Sequence, residues 1–230
     1  MKNILLIGGS YGIGADIATE LASENNVIIA SRSNEDLPEN ISYLEFDATK
    51  DNIENLDLPD AIHGLVYCPG SINLKPFGML KPETFESDFQ LNFLSLVRIL
   101  KSIYSKLKNA ENASIVVFST VAVKVGMPFH TSVAAAKGAL EGFSKSLAAE
   151  WAPNIRVNVI APSLTKTPLA KRLTSNEAKI EKLNERHPLK RIGESKDIAN
   201  MASFLLSEKA SWITGQIIGV DGGMSTLNVS

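Results

Sequence analysis

The segment Gly8-Gly9-Ser10-Tyr11-Gly12-Ile13-Gly14 follows the apolar run at residues 4–7 without a break. It leads into a stretch where Ile13, Ile17 and Leu21 recur every four residues. A strand with no polar alternation that runs through glycines into a helix leaves few folds open. In such a loop Gly8 lets the chain turn tightly, Gly12 lets the backbone approach a pyrophosphate, and Gly14 lets helix and strand pack closely. Free N–H groups at the helix start then face the anion. A glycine-rich turn without a ligand has the same composition. The strand–turn–helix setting is what favours a dinucleotide, with Gly8, Ser10, Tyr11, Gly12, Ile13 and Gly14 as candidate contacts.

The rest of the chain repeats this alternation. "NVIIAS", "ISYLEFDA", "IHGLVYCPG", "ASIVVFST", "IRVNVIAP" and "GQIIGVDGG" read as further strands. Helical patterns cover 13–24, a long stretch with Phe89, Phe93, Leu96, Leu100 and Leu107 on one side, 134–150, and "KDIANMASFLLS". Strands alternating with helices predict an α/β fold of Rossmann type: a doubly wound parallel sheet in three layers, formed by one domain over residues 1–230. Residues 33–40 and 51–60 are too short and polar for full crossover helices, so those two connections are expected to be trimmed.

Cofactor choice is read at the end of the second strand. An NAD site places an acid there to hold the ribose diol. Here the end reads Ala30-Ser31-Arg32-Ser33, with no acid before Glu35. Arg32 can grip a 2′-phosphate and Ser31 can donate to it, so NADP(H) is favoured over NAD(H). A net charge of −2 supplies no basic field for nucleic acid or an anionic membrane. The single cysteine, Cys68, cannot form an intrachain disulfide. The run at 4–7 is too short for a signal segment or a membrane span. A cytoplasmic location is therefore expected, with a small-molecule substrate as partner and no metal.

Taken with these motifs, the chain resembles the short-chain dehydrogenase/reductase family over nearly its whole length. Asp47-Ala48 matches the acid and small residue that hold the adenine. In Tyr67-Cys68-Pro69-Gly70 only the glycine of the family's Asn-Asn-Ala-Gly survives, leaving Pro69 and Gly70 as cofactor contacts. Asn92 matches the family's helix asparagine, Thr120 stands at the catalytic serine, and Lys137 matches the catalytic lysine, which also binds the nicotinamide ribose. Ala161-Pro162-Ser163 stands for the Pro-Gly turn, so the resemblance implies cofactor contacts at Pro162, Leu164 and Thr167. It further implies a lid at about 164–188 and self-association, as a homotetramer or homodimer, through helices around 84–108 and 134–150. Ile7 replaces the threonine that usually precedes the glycine loop.

One position departs from the family's chemistry. A tyrosine normally stands four residues before the lysine, on the same helix face, where the cation lowers the phenol's pKa. Here that position is Val133, and the four tyrosines of the chain, Tyr11, Tyr43, Tyr67 and Tyr104, lie far from it in sequence. Loss of a positioned general acid costs about 10²–10⁴-fold, whereas the proximity supplied by a cofactor site is separate and can contribute more. His130, seven residues before Lys137, occupies the spacing of the active tyrosine in enoyl-acyl-carrier reductases, divergent members of this superfamily. Histidine can donate a proton near neutrality; a loop histidine without a role is the competing reading. Ser132 can join a water relay, and Tyr67 is expected to pack rather than react. Three functions remain open: an NADP(H)-dependent oxidoreductase with a substituted proton path, a catalytically dead NADP(H)-binding protein, and non-redox chemistry on the same scaffold. Lys166, Lys171 and Arg172 can meet an anionic substrate, but the lid's charges are expected mainly to be solvated.

Overall fold

Both faces of the central strands are buried, which is why the sequence shows no alternation there. In β1 (Asn3–Ile7), Leu5 and Ile7 join one apolar cluster while Ile4 and Leu6 join another on the opposite side. The computed structural model describes residues 1–34 and 37–228. After β1 come α1 (Gly12–Leu21), β2 (Asn26–Ser31), β3 (Ser42–Glu45), β4 (Gly64–Tyr67), α2 (Pro82–Phe89), α3 (Ser95–Lys108) and β5 (Ala113–Phe118). The chain continues through α4 (Val121–Val125), α5 (Thr131–Trp151), β6 (Ile155–Pro162), β7 (Thr165–Lys166), α6 (Glu177–Glu185), β8 (Gly193–Glu194), α7 (Ser195–Leu206) and β9 (Ile217–Val220). Seven strands form one parallel sheet in the order β3-β2-β1-β4-β5-β6-β9, and β7 pairs with β8 in a separate two-stranded ladder.

Helices cover both faces. Ile17 and Ala18 of α1 and Ile198, Ala199, Ala202 and Leu205 of α7 close one side. Leu96, Ile99, Leu100, Ile103 and Leu107 of α3, with Leu140 and Leu147 of α5, close the other. The expected doubly wound, three-layer α/β fold is therefore the observed one. Strand order reverses between β1 and β4, and ligands of such sheets sit at the carboxyl ends of the strands beside that reversal.

The trimmed connections are also observed. After β3 the crossover holds a single 3₁₀ turn, Ile53–Asn55, and the described residues of 33–40 carry no helix. Glu35 lies outside the described residues. The long helix expected around 84–108 is broken. Between α2 and α3 the segment Gln90–Leu94 winds as a π turn, in which the Ser95 N–H reaches the Gln90 carbonyl. Side chains supply hydrogen bonds to this widened turn: Asn92 Nδ2 donates to the Asp88 carbonyl at 2.8 Å, and the Tyr67 phenol donates to the Leu91 carbonyl at 2.6 Å. The expected helix at 134–150 starts earlier, at Thr131, with His130 as its N-cap.

Candidate active site

The glycine loop closes over the end of β1. A methyl group on Gly14 would lie 2.4 Å from the Gly9 Cα, so helix and loop touch backbone to backbone there. Gly12 has φ +59°, which a side chain would strain, beside Thr167 and Pro168. Tyr11 caps α1 in extended conformation without a side-chain hydrogen bond, and the first turn carries no acid. The start of α1 thus keeps N–H donors and positive dipole for an anion. This cradle fits a dinucleotide pyrophosphate.

At the end of β2, Ser31 Oγ donates to the Ser33 carbonyl at 2.8 Å, and the Ser10 and Ser33 hydroxyls lie 3.4 Å apart. Arg32 lines the same cleft and pairs with no carboxylate among the described residues. Ser10, Ser31, Arg32 and Ser33 all line the cleft here, so hydroxyls and a guanidinium, and no described carboxylate before Asp47, stand at this end of it. Asp47, at the end of β3, accepts from Thr49 Oγ1 at 2.6 Å and Thr49 N at 2.9 Å. The Thr49 hydroxyl, with Lys50 and Arg32, holds its carboxyl below the usual range. The Ala48 carbonyl is taken by Arg98 Nη2 at 2.8 Å, which fixes the turn.

One cleft of about 780 Å³ joins these groups to the other end of the site. Pro69, Gly70, Thr120, His130, Val133, Lys137, Pro162, Leu164 and Thr167 all line it. Asn92 does not line it, but stands behind Gly70: a methyl group there would lie 3.6 Å from Asn92 Oδ1 and 3.9 Å from Lys137 Nζ. Asn92 Oδ1 is buried with no hydrogen-bond partner among the described residues. Lys137 is buried on α5, and loss of solvent pulls its ammonium down to about 8, against the opposing pull of Cys68 and Asp88. Burial also pushes the Cys68 thiol up to about 12, so it stays protonated.

Val133 lies one turn before Lys137 and is 6% exposed. Thr120 Oγ1 caps α4 by accepting from the Ala122 N–H at 3.3 Å, so its hydroxyl proton remains available. The His130 ring bonds the Pro128 carbonyl at 2.7 Å through Nδ1. An Nδ1–H donor there leaves Nε2 as the nitrogen that can exchange a proton with the cleft. Tyr67 is in the core, 1% exposed, and burial raises its phenol far above the ordinary value, which agrees with its reading as a packing residue.

A buried carboxylate that the sequence reading missed sits behind these groups. Asp88 is 1% exposed and accepts from Ser71 Oγ at 2.6 Å, Asn73 Nδ2 at 2.7 Å and Ser132 Oγ at 2.5 Å. Asn92 Nδ2 also donates to Ser71 Oγ at 2.8 Å. Ser132 therefore holds Asp88 rather than standing free for a relay. The signal in the sequence was an aspartate four residues before Asn92.

The segment expected to be a lid, 164–188, is tied together through His187. Its Nδ1 bonds the Leu183 carbonyl at 2.7 Å, and its Nε2 bonds the Ser163 hydroxyl at 2.8 Å. Of the three lid cations considered from sequence, Arg172 lines the main cleft, Lys171 lines a shallow depression beside Tyr11, and Lys166 lines neither. Among the described residues there is no group of three or more His, Cys, Asp or Glu side chains placed to hold a metal ion, and no helix is long and apolar enough to cross a membrane.

Comparison with known proteins places this geometry. Residues 8–225 match a family model described as enoyl-(acyl carrier protein) reductase. The 3-oxoacyl-(acyl-carrier-protein) reductase FabG of Buchnera aphidicola is 32% identical, with 97% of each chain covered. The ligand-free aldohexose dehydrogenase of Thermoplasma acidophilum superposes with a TM-score of 0.90 at 25% identity, covering 100% of this chain and 96% of that one. ElxO with NADP bound superposes with a TM-score of 0.88 at 27% identity over 98% and 99% of the two chains.

Proposed function

Because the chain belongs to the short-chain dehydrogenase/reductase family, we propose that it is an NADP(H)-dependent oxidoreductase whose proton path does not use the family tyrosine. Its reaction moves a hydride to or from a carbonyl or an activated double bond. The observation that carries the reading is the single cleft in which the glycine loop and Arg32 at one end are continuous with Thr120, His130 and Lys137 at the other. An NADP-bound structural neighbour adds support for the cofactor.

In this reading the loop from Gly8 to Gly14 holds the pyrophosphate, Arg32 the 2′-phosphate, with Ser31 able to join only by giving up its bond to the Ser33 carbonyl, and Asp47 and Ala48 the adenine. Pro69, Gly70, Pro162, Leu164 and Thr167 line the remaining path, and Lys137 binds the nicotinamide ribose. NADP(H) supplies or accepts the hydride when bound. Thr120 donates a hydrogen bond to the substrate oxygen but is too weak an acid to deliver a proton alone. His130, through Nε2, or a water delivers it. For an activated double bond the demand is smaller, since hydride lands on carbon and solvent can protonate the adjacent carbon.

The test is NADPH oxidation by the full chain with carbonyl and enoyl substrates, beside calorimetric titration with NADPH and NADH. Turnover with cofactor consumed supports the reading. Tight NADPH binding with no turnover of either class would make the chain a cofactor-binding protein. Substrate conversion without net oxidation would make its chemistry non-redox.

A further inference from the structure

The lid helix α6 is charged on both sides, but not evenly. Lys179, Lys182 and Arg186, with Leu183, are spaced i, i+3, i+7 and i+4, so they share one face. Glu177, Glu181 and Glu185 follow an i, i+4, i+8 spacing and fall on the opposite side. The basic face is the one that lines the cleft, and Arg172 and Leu173 from the preceding turn line it too. None of these four cations pairs with a carboxylate among the described residues, while Glu185 is turned aside to Lys190 at 2.9 Å. Of the residues lining the cleft, only Asp47 is acidic.

The dinucleotide does not use up this charge. In the reading proposed above its pyrophosphate would be met by the start of α1, its 2′-phosphate by Arg32, and its ribose by Lys137. The cations, with exposed side chains, line the cleft together with Leu173 and Leu183, in the segment tied to Ser163 through His187. On a protein of net charge −2, such local concentration of one sign focuses attraction on an anion.

We propose that the substrate carries a carboxylate or phosphate, seated on the basic face of α6, with its apolar portion against Leu173 and Leu183. This rests on the dinucleotide reading only in assigning the rest of the cleft to the cofactor. These side chains are exposed, as a solvated face would be, and the proposal gives the cleft-lining ones a second role.

Two matched probe pairs test it: levulinate against methyl levulinate, and hydroxyacetone phosphate against hydroxyacetone. Each is titrated calorimetrically into the full chain saturated with NADP⁺, and into the variant carrying K179Q, K182Q and R186Q. At least one anion should bind about tenfold or more tightly than its neutral partner, and added salt should erode the preference. The variant should lose that preference by about tenfold while its affinity for the neutral probes stays the same. Which anion is preferred separates a carboxylate site from a phosphate site. Equal binding of anion and neutral partner by the native chain, no binding of either anion, or a preference that survives in the variant would each overturn the proposal. If NADP⁺ itself does not bind, the cofactor reading fails separately, and the same titrations on the cofactor-free chain still decide the lid's role.

Discussion

Val133 and Lys137 sit one turn apart on α5, and the apolar member is what makes the site unusual. Val133→Tyr would place a phenol beside a buried cation, with Thr120 lining the same cleft. Ketone reduction should appear or rise by about 10²-fold, within the range of a positioned general acid; a variant that binds NADPH normally yet gains nothing would show that the pocket itself is remade. His130→Ala should cut native carbonyl turnover at least about tenfold, and ordinary rates in that variant would put the proton path elsewhere. Arg32→Ala should weaken NADPH about tenfold and leave NADH nearly unchanged; equal losses in a calorimetric titration would reject the 2′-phosphate assignment. Lys137 titrates near 8 in the cofactor-free chain. A bound dinucleotide's negative charge favours the ammonium and raises that value, so the complex holds more protons than the free protein above about pH 8. Binding should then take up about half a proton at pH 8 and weaken as pH rises further. Calorimetry in buffers of different ionisation enthalpy measures this, and Lys137→Met should abolish the uptake.

Among the elements, the π turn between α2 and α3 depends on distant partners. Tyr67 stays a neutral donor because burial raises its phenol, and it bonds the Leu91 carbonyl inside the turn. Tyr67→Phe keeps the packing but removes that bond, so urea unfolding should show a loss of about 0.5–1.5 kcal/mol. A loss under about 0.5 kcal/mol would mean that the turn holds without the bond. This element also shows what a sequence can carry. The β1–loop–α1 unit was legible because glycine spacing and apolar runs are local signals, and the other strands were legible because burial on both faces leaves them continuous. The break at Gln90–Leu94 was not, since its bonds come from Tyr67 on β4 and from the Asn92 side chain turning back on its own helix. Asp88 escaped for a similar reason: Ser71, Asn73 and Ser132, which make its burial tolerable, come from two other segments. The sidedness of α6 is written in its residue spacing, but only the fold says which side faces the cleft.

At the scale of the whole molecule, the outer surface of α3 and α5 is where self-association is expected. Ala136 is buried in the subunit, whereas Ala135 and Gly142 are exposed, and a methyl group on Gly142 would meet nothing within 4 Å. Small residues facing outward let a second helix approach closely, and nothing among the described residues needs Gly142 to be small. The neighbouring surface carries Leu94, 42% exposed, and Tyr104, 39% exposed, whose ring lies 4.9 Å from that of Trp151. Apolar groups of this size beside a smooth helix face are a suitable contact for a second copy. Light scattering at micromolar concentration should therefore give about two or four times the chain mass of 24.9 kDa. Gly142→Arg adds bulk and charge to a position with open space around it, so the subunit should fold as before while the particle mass falls toward that of one chain. A native chain that scatters as a monomer would refute the association outright. A Gly142→Arg variant that stays oligomeric would instead move the contact to another face, because no close helix pairing across α5 tolerates an arginine at that point.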